Sequence, residues 1–472
     1  MAQINETAIK TPGVYVNEIP LFPPSVAQVE TAIPAFIGHT QKAENELGES
    51  LTNKPTKIFS LKEYEQYFGG PESQSDIKVT VNQTTEGTTV TSLSALAELP
   101  ADKVSKYKMY YSLRLYFANG GGPCYIVSAA PTATNITPAT LEGGLNALAT
   151  ADEPTIIVIP DGLSLAKDKY YELVGKAIDQ CVLLQDRFTL VDVHSEGTNV
   201  TNTINAFRTD FTKNDNLNYA AVYYPYLKTT FEYAYVDTAV NVVVVTNGTA
   251  AGAVKLNTLK TTQTAIYNLC METINSKLSP TLAPSAAMAG IYARVDGSRG
   301  VWKAPANVSV NSVYGLSANI SDAEQGAMNI DATTGKSVNA IRSFQGKGFL
   351  VWGARTLAGN DNEWRYVNVR RLFITVEESA KKATMQFVFE PNDANTWVKI
   401  RAMLENYLTV LWRQGALAGS KPEHAFYVRC GLNQTMTAMD ILEGKLIVEI
   451  GMAAVRPAEF IILRFSHKMQ ES

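Results

Sequence analysis

Asp192-Val-His194-Ser195 places the three residue types of a serine hydrolase within four positions, and it is the first place in this sequence to seek nucleophilic chemistry. A triad needs acid, base and hydroxyl to converge in space, whereas neighbours along one strand point to alternate faces. The tetrapeptide therefore reads as coincidence. Thr334-Gly335-Lys336-Ser337 has the end of a phosphate-binding G-x-x-x-x-G-K-[ST] loop, but the opening glycine would fall on Ile330. The cradle is incomplete, and a surface turn is expected instead. Gly120-Gly121-Gly122 lacks the G-x-G-x-x-G spacing and precedes a strand rather than the helix that dinucleotide binding requires. The four histidines, His39, His194, His424 and His467, fall in no metal-binding spacing. Cys124, Cys181, Cys270 and Cys430 form no CxxC pair and read as small core residues in a reducing cell. The residues thus predict no catalytic, cofactor-binding or metal site and no cofactor. Energy for any mechanical work would have to come from folding and packing.

The chain is long enough for about three domains at roughly 150 residues each. Its 46% hydrophobic and 18% charged residues are ordinary globular composition. A net charge of −4 gives no field for a phosphate backbone, so nucleic acid is not an expected partner. From Trp364 onward 14 Lys/Arg meet 11 Asp/Glu, which leaves −7 on the residues before it. That polarity fits either chance or a mildly basic surface awaiting an acidic partner. No apolar run approaches the roughly 20 residues that span a bilayer, and the N-terminus lacks the basic and apolar regions of a signal peptide. The expectation is a protein made and kept soluble in the cytosol, without direct membrane insertion.

The elements that would carry any site follow from periodicity. Gly13 to Ile19 alternates as a strand, isolated by Pro12 before it and Pro20, Pro23 and Pro24 after it. It suits addition to the sheet edge of another molecule, and equally an edge strand folding back on its own domain. From Thr31 the pattern reads strand, then a helix from about Ser60 stopped by Gly69-Gly70-Pro71. A helix at Tyr107 to Ala118 and apolar runs at Cys124, Thr155, Phe188 and Ala220, with helical patterns between some of them, argue for α/β layers around a largely parallel sheet. Two β-rich stretches interrupt it, at about 72–106 and 232–258, the first reading as exposed decoration. A helix over Thr261 to Leu278 is followed by a Gly/Pro/Ala-rich stretch to about Ala306. From Trp364 the pattern turns to α+β. It predicts a strand at Tyr366 to Thr375, a short helix at Glu377 to Lys382, a long helix at Asn395 to Gln414, and strands near Ala425–Cys430, Lys445–Glu449 and Glu459–Phe465.

Several segments, in order, carry a resemblance: Thr11-Pro-Gly-Val-Tyr-Val-Asn-Glu, Ile33-Pro-Ala-Phe-Ile-Gly, Phe117-Ala-Asn-Gly-Gly, the run Ala283 to Asn307, Asn339-Ala-Ile-Arg through Gly353-Ala-Arg-Thr-Leu, Trp364 to Phe373, Phe389-Glu-Pro-Asn-Asp, and Arg456-Pro-Ala-Glu-Phe. With these the chain resembles tail sheath proteins of contractile phages and phage-derived injection systems. The resemblance implies a subtilisin-like α/β sheath domain without protease activity, carrying the β-rich insertions. A C-terminal α+β sheath domain and extended terminal arms complete the expected architecture. The corresponding boundaries are 1–24 for the N-terminal arm, 25–362 and 363–455 for the two domains, and 456–472 for the C-terminal arm strand. It implies a helical homopolymer of stacked rings around an inner tube protein, with baseplate and tail-terminator or cap proteins as further partners and room for a second sheath paralogue. Synthesis in the bacterial cytoplasm and assembly into a phage tail or tail-like particle follow from the same likeness. A subtilisin-fold hydrolase and a static capsid or surface-layer protein are the alternatives.

Two kinds of site are implied. In the family, terminal arms complete a small sheet in neighbouring subunits; here Val14, Tyr15, Val16 and Glu18 would lie on one arm strand and Phe460, Ile461, Ile462 and Leu463 on the other. The family grips its inner tube through its C-terminal domain, often with basic residues. Lys381 and Lys382 fit that role, as do Lys399 and Arg413, which fall within about 40° of each other on the long helix. Arg294, Asp296, Arg299 and Lys303, set among small residues, read as structural charges that can pair while backbones approach closely.

Overall fold

Apolar runs around Phe36, Ile126, Ile157, Leu190 and Val222 become adjacent strands with no exposed face, as parallel strands covered on both sides must be. The computed structural model describes residues 26–195 and 197–464. Among these, a nine-stranded sheet runs in the order Val308–Ser309, Gly348–Val351, Asn339–Phe344, Ala220–Tyr224, Phe188–Asp192, Ile156–Val158, Pro34–Thr40, Cys124–Pro131 and Thr56–Ile58. The six strands from Asn339–Phe344 to Cys124–Pro131 are parallel, and the flanking ones antiparallel. Helices such as Met109–Ala118, Pro138–Leu148 and Lys167–Leu184 contribute Leu113, Leu145 and Ile178 to its core. Local chemistry sets several ends. Ser60 accepts a hydrogen bond from the Glu63 N–H to start the helix Leu61–Phe68, and Gly69, at φ +82°, ends it.

The two β-rich stretches are not separate decorations. The hairpin Lys78–Glu86 and Thr89–Glu98 comes from the first, and Asn241–Thr246 from the second pairs parallel to it, with Val242 opposite Val79. They share one core. Ile77, Val79, Val81, Val240 and Val242 pack with Ile266, Cys270 and Ile274 of the helix Thr264–Lys277.

The chain divides into a large unit, 30–375 with 456–472, and a smaller one, 1–29 with 376–455. The division falls inside the helix Val367–Thr384. That helix corrects the expected strand over Tyr366–Thr375 and the short helix at Glu377–Lys382, which are one continuous element. Its first turns bury polar and apolar residues alike, so alternation along the sequence reports no sheet face. Further on, the helix Ala394–Arg413 matches the expected long helix. Asp393 accepts from the Thr396 N–H at 3.0 Å, and Ile400, Leu404, Tyr407, Leu408 and Leu411 form the buried stripe. In the smaller unit Phe426–Arg429 pairs antiparallel with Glu449–Met452. The second of these strands begins where the expected one, Lys445–Glu449, should end.

The Ala283–Ala306 stretch also departs from expectation, because Ser285–Arg299 is a helix buried from Ser285 through Tyr292. A helix buried all round has no amphipathic period to betray it. Gly290 is required there: a Cβ would come 2.4 Å from the Tyr116 carbonyl oxygen.

Candidate assembly sites

The carboxyl ends of parallel strands are where α/β sheets present ligand-binding residues. Asp192, His194 and Ser195 stand there, lining a cavity of about 240 Å³ with Lys108, Ser112, Tyr226 and Ser285. They do not form a triad. The Asp192 carboxylate accepts from the Ser285 N–H at 2.9 Å and the Ser285 hydroxyl at 2.5 Å, and so caps the first turn of Ser285–Arg299, where the helix dipole favours an anion. His194 Nε2 meets the Leu165 carbonyl at 2.8 Å. No hydrogen bond links Asp192, His194 and Ser195 among the described residues. Burial pushes the Asp192 carboxyl up to about 7 against the hydrogen bonds from Ser285, and burial likewise raises Asp161, at the end of a neighbouring strand, to about 6.

Thr334–Ser337 follows a turn that ends at Thr334 and bridges Ala358 through Lys336, so it is not the expected surface turn. Lys336 is buried and donates to the Phe211 carbonyl, while the Ser337 hydroxyl donates to the Asn329 carbonyl at 2.5 Å. Gly120, at φ +98°, lets the chain turn beneath Arg294 from the helix Met109–Ala118 into Cys124–Pro131. Among the described residues no group of three or more His, Cys, Asp or Glu could hold a metal ion, and all four cysteines are buried free thiols. No described helix is long and apolar enough to cross a membrane.

Asp296 does pair, though with a residue outside its own segment. Arg371 reaches it at 2.5 and 3.1 Å, donates to the Thr31 carbonyl at 2.8 Å and lies over the Tyr292 ring. Both side chains are almost fully buried. Arg294 instead donates to the Ser309 carbonyl and Lys303 to the Ala304 carbonyl.

After Met452 the chain leaves the small two-stranded sheet, and from Arg456 it groups with the large unit. Glu459 is bound there by Arg355, Asn329 and Tyr366. Phe460, Ile461, Ile462 and Leu463 follow, each between 66% and 78% exposed. The expected strand Glu459–Phe465 pairs with no strand among the described residues; Phe465 lies outside them. Val14, Tyr15, Val16 and Glu18 also lie outside the described residues.

The four tube-binding candidates separate into two pairs. Lys381 and Lys382 both reach the buried Glu378 carboxylate, at 3.2 and 3.4 Å. Lys399 and Arg413 are exposed on one face of Ala394–Arg413, flanking the exposed Val398 and Val410. The 14 positions between them correspond to about 21 Å along a helix. Sequence reasoning missed the residues around Glu459. Arg355 and Glu459 are 104 positions apart, and only their presence in two of the resembling segments marked them.

The profile of the phage tail sheath protein central domain matches residues 135–357, and that of the phage tail sheath C-terminal domain residues 359–468. The chain is 32% identical to the sheath of an extracellular contractile injection system, solved as the PVC sheath complex in the contracted state. That match covers 98% of this chain and 99% of the other, with a TM-score of 0.64. It is 31% identical to the helical sheath of the anti-feeding prophage in the contracted state, covering 98% and 100% with a TM-score of 0.65. A tail sheath protein of Vibrio phage KVP40 is 24% identical over 179 residues, 38% of this chain and 25% of that relative. The chain thus spans about a quarter of the phage protein and nearly all of the two injection-system chains.

Proposed function

Because the chain belongs to the contractile tail sheath family, we propose that it is the structural subunit of a contractile tail or injection device, polymerising helically around an inner tube and contracting to drive that tube through a target envelope. The observation that carries this reading is the end-to-end likeness to a sheath subunit of an extracellular contractile injection system. The inner tube, the baseplate and a cap protein are its proposed partners, with synthesis in the bacterial cytoplasm. Its work is mechanical and non-enzymatic. Contraction draws on two packings of the same subunit, which commonly differ by a few kcal/mol, multiplied over many copies.

Finer parts of the reading have physical support. The parallel sheet layered with helices suits a subtilisin-like domain, and the binding of Asp192 to a helix start suits one that has no protease activity. The arms have a donor and an acceptor. Phe460 to Leu463 is an apolar run with no sheet partner among the described residues, and a two-stranded sheet is marginal unless further strands join it. An exposed apolar strand is an aggregation hazard in a monomer, whereas in a polymer of heterologous contacts it directs assembly. The N-terminal strand Gly13 to Ile19 is the proposed second donor. The inner tube is proposed to meet Lys399 and Arg413, with Lys381 and Lys382 as a second basic patch.

Negative-stain microscopy of the purified protein, alone and with its inner tube protein, tests the function. Hollow helical tubes of two diameters are expected. A monomer, or one fixed lattice under all conditions, would overturn the reading.

A further inference from the structure

The Glu459 carboxylate is closed in on both oxygens. Asn329 Nδ2 donates to Oε1 at 2.6 Å, and Arg355 Nε to the same oxygen at 2.9 Å. Arg355 Nη2 donates to Oε2 at 2.7 Å and the Tyr366 hydroxyl to it at 3.0 Å. This is a two-pronged guanidinium–carboxylate contact, the geometry in which an ion pair is both strongest and most directional. Arg355 is itself held. Its backbone N–H donates to Asn339 Oδ1 at 2.8 Å, and Nη1 donates to the Gly359 carbonyl at 3.0 Å. Its side chain is only 3% exposed.

The residues that follow make the contrast. Four apolar side chains stand in solvent directly after this anchor, so the segment is tied down without burying its own apolar surface. A tie that served only the subunit's own stability would be expected to seat those side chains. From Glu459 to Leu463 the chain reaches about 13 Å at roughly 3.3 Å per residue.

We propose that Arg355, with Asn329 and Tyr366, clasps Glu459 as the fixed root of the C-terminal strand, holding Phe460–Leu463 outward for the small two-stranded sheet of a second copy of this chain. The proposal rests on the arm-exchange reading and adds to it the place where the arm is fastened. Tension along a shared strand enters the parallel-sheet unit at this point, through Asn339 and the strand that begins there. Glu459 and Arg355 act as positioning residues, since neither need touch the partner.

The test uses the full chain and Glu459→Gln, with Arg355→Lys as the milder variant, which keeps the charge and loses the two-pronged grip. The unassembled subunit should stay folded and melt cooperatively at a somewhat lower temperature, because Arg355 loses its counter-charge, while protease releases the C-terminal tail about tenfold faster from E459Q. Tube yield should fall about tenfold, with R355K intermediate. Wild-type tail release together with wild-type tube length and yield in both variants would overturn the clasp. The double variant Ile461→Lys, Leu463→Lys tests the parent reading separately: if it blocks tubes and E459Q does not, only the clasp fails; if it assembles normally, arm exchange fails. Should E459Q not fold, hydrogen exchange on the wild-type protein decides. Amides of 460–463 should exchange freely in the subunit and become protected in the tube, and protection in the subunit alone would overturn the proposal.

Discussion

The nine-stranded sheet and the two-stranded sheet of this protein solve the edge problem in opposite ways. The large sheet has its parallel centre buried on both faces, its flanks closed by short antiparallel strands, and its charges paired inside, as in Arg371–Asp296. The small sheet, Phe426–Arg429 with Glu449–Met452, offers two strands among the described residues, where at least three are usually needed for independent stability. One region is complete within the subunit, and the other is, on the proposed reading, an acceptor for a neighbour's strand. Damage to the first should therefore appear as unfolding, and damage connected with the second as failed assembly of folded subunits.

The largest effect on folding is expected from Asp296→Ala, which leaves the Arg371 guanidinium buried without its counter-ion. Breaking a buried pair in this way costs about 3–5 kcal/mol, and urea denaturation of the unassembled subunit should show it. A loss below about 1 kcal/mol would mean that Arg371 finds water or another partner.

A smaller effect, with a sign set by pH, belongs to Asp192. Its folded-state pKa is raised from 3.8 to about 7 by burial. The folded protein therefore holds a proton that the unfolded chain releases between about pH 4 and 7, and wild-type stability falls as pH rises through that window. Asp192→Asn removes the titration and keeps an acceptor for the Ser285 N–H. Relative to wild type it should gain about 2–3 kcal/mol between pH 5 and pH 8. Parallel pH profiles for the two proteins would show that Asp192 is not the titrating group.

Reversing Lys381 and Lys382 to Glu should cost more than the about 0–1 kcal/mol of an exposed pair, because it turns two attractions of the buried Glu378 into repulsions. Reversing Lys399 and Arg413 should leave the melting curve unchanged and yield sheaths that are empty or already contracted. Tube-filled, extended particles from that second pair would place the inner-tube contact elsewhere.

The smallest effect on folding, with a full effect on assembly, is expected from Ile461→Lys with Leu463→Lys. These side chains bury little in the subunit, so thermal melting should not move while tubes disappear in negative stain. A lowered melting point would show that the C-terminal segment belongs to the subunit's own core.

The sequence by itself determined the elements whose signal is local. The helix Ala394–Arg413 was readable because one face carries apolar residues every 3.6 positions behind an Asp cap, and the parallel strands because runs such as Phe188–Asp192 are apolar throughout. The ordered segments also carried the family likeness. The rest was decided by partners distant along the chain. Tyr366–Thr375 reads as a strand, yet from Val367 it is helix, and Asn368 and Arg371 are buried there because Trp302 and Asp296 stand ready to satisfy them. The two β-rich stretches share a core only because the fold brings Val79 beside Val242. Glu459 looked like the first residue of a strand, and became an anchor only through Arg355, Asn329 and Tyr366. Period and capping are properties of a few neighbouring residues, whereas satisfaction of a buried charge depends on which distant groups the fold brings within about 3 Å.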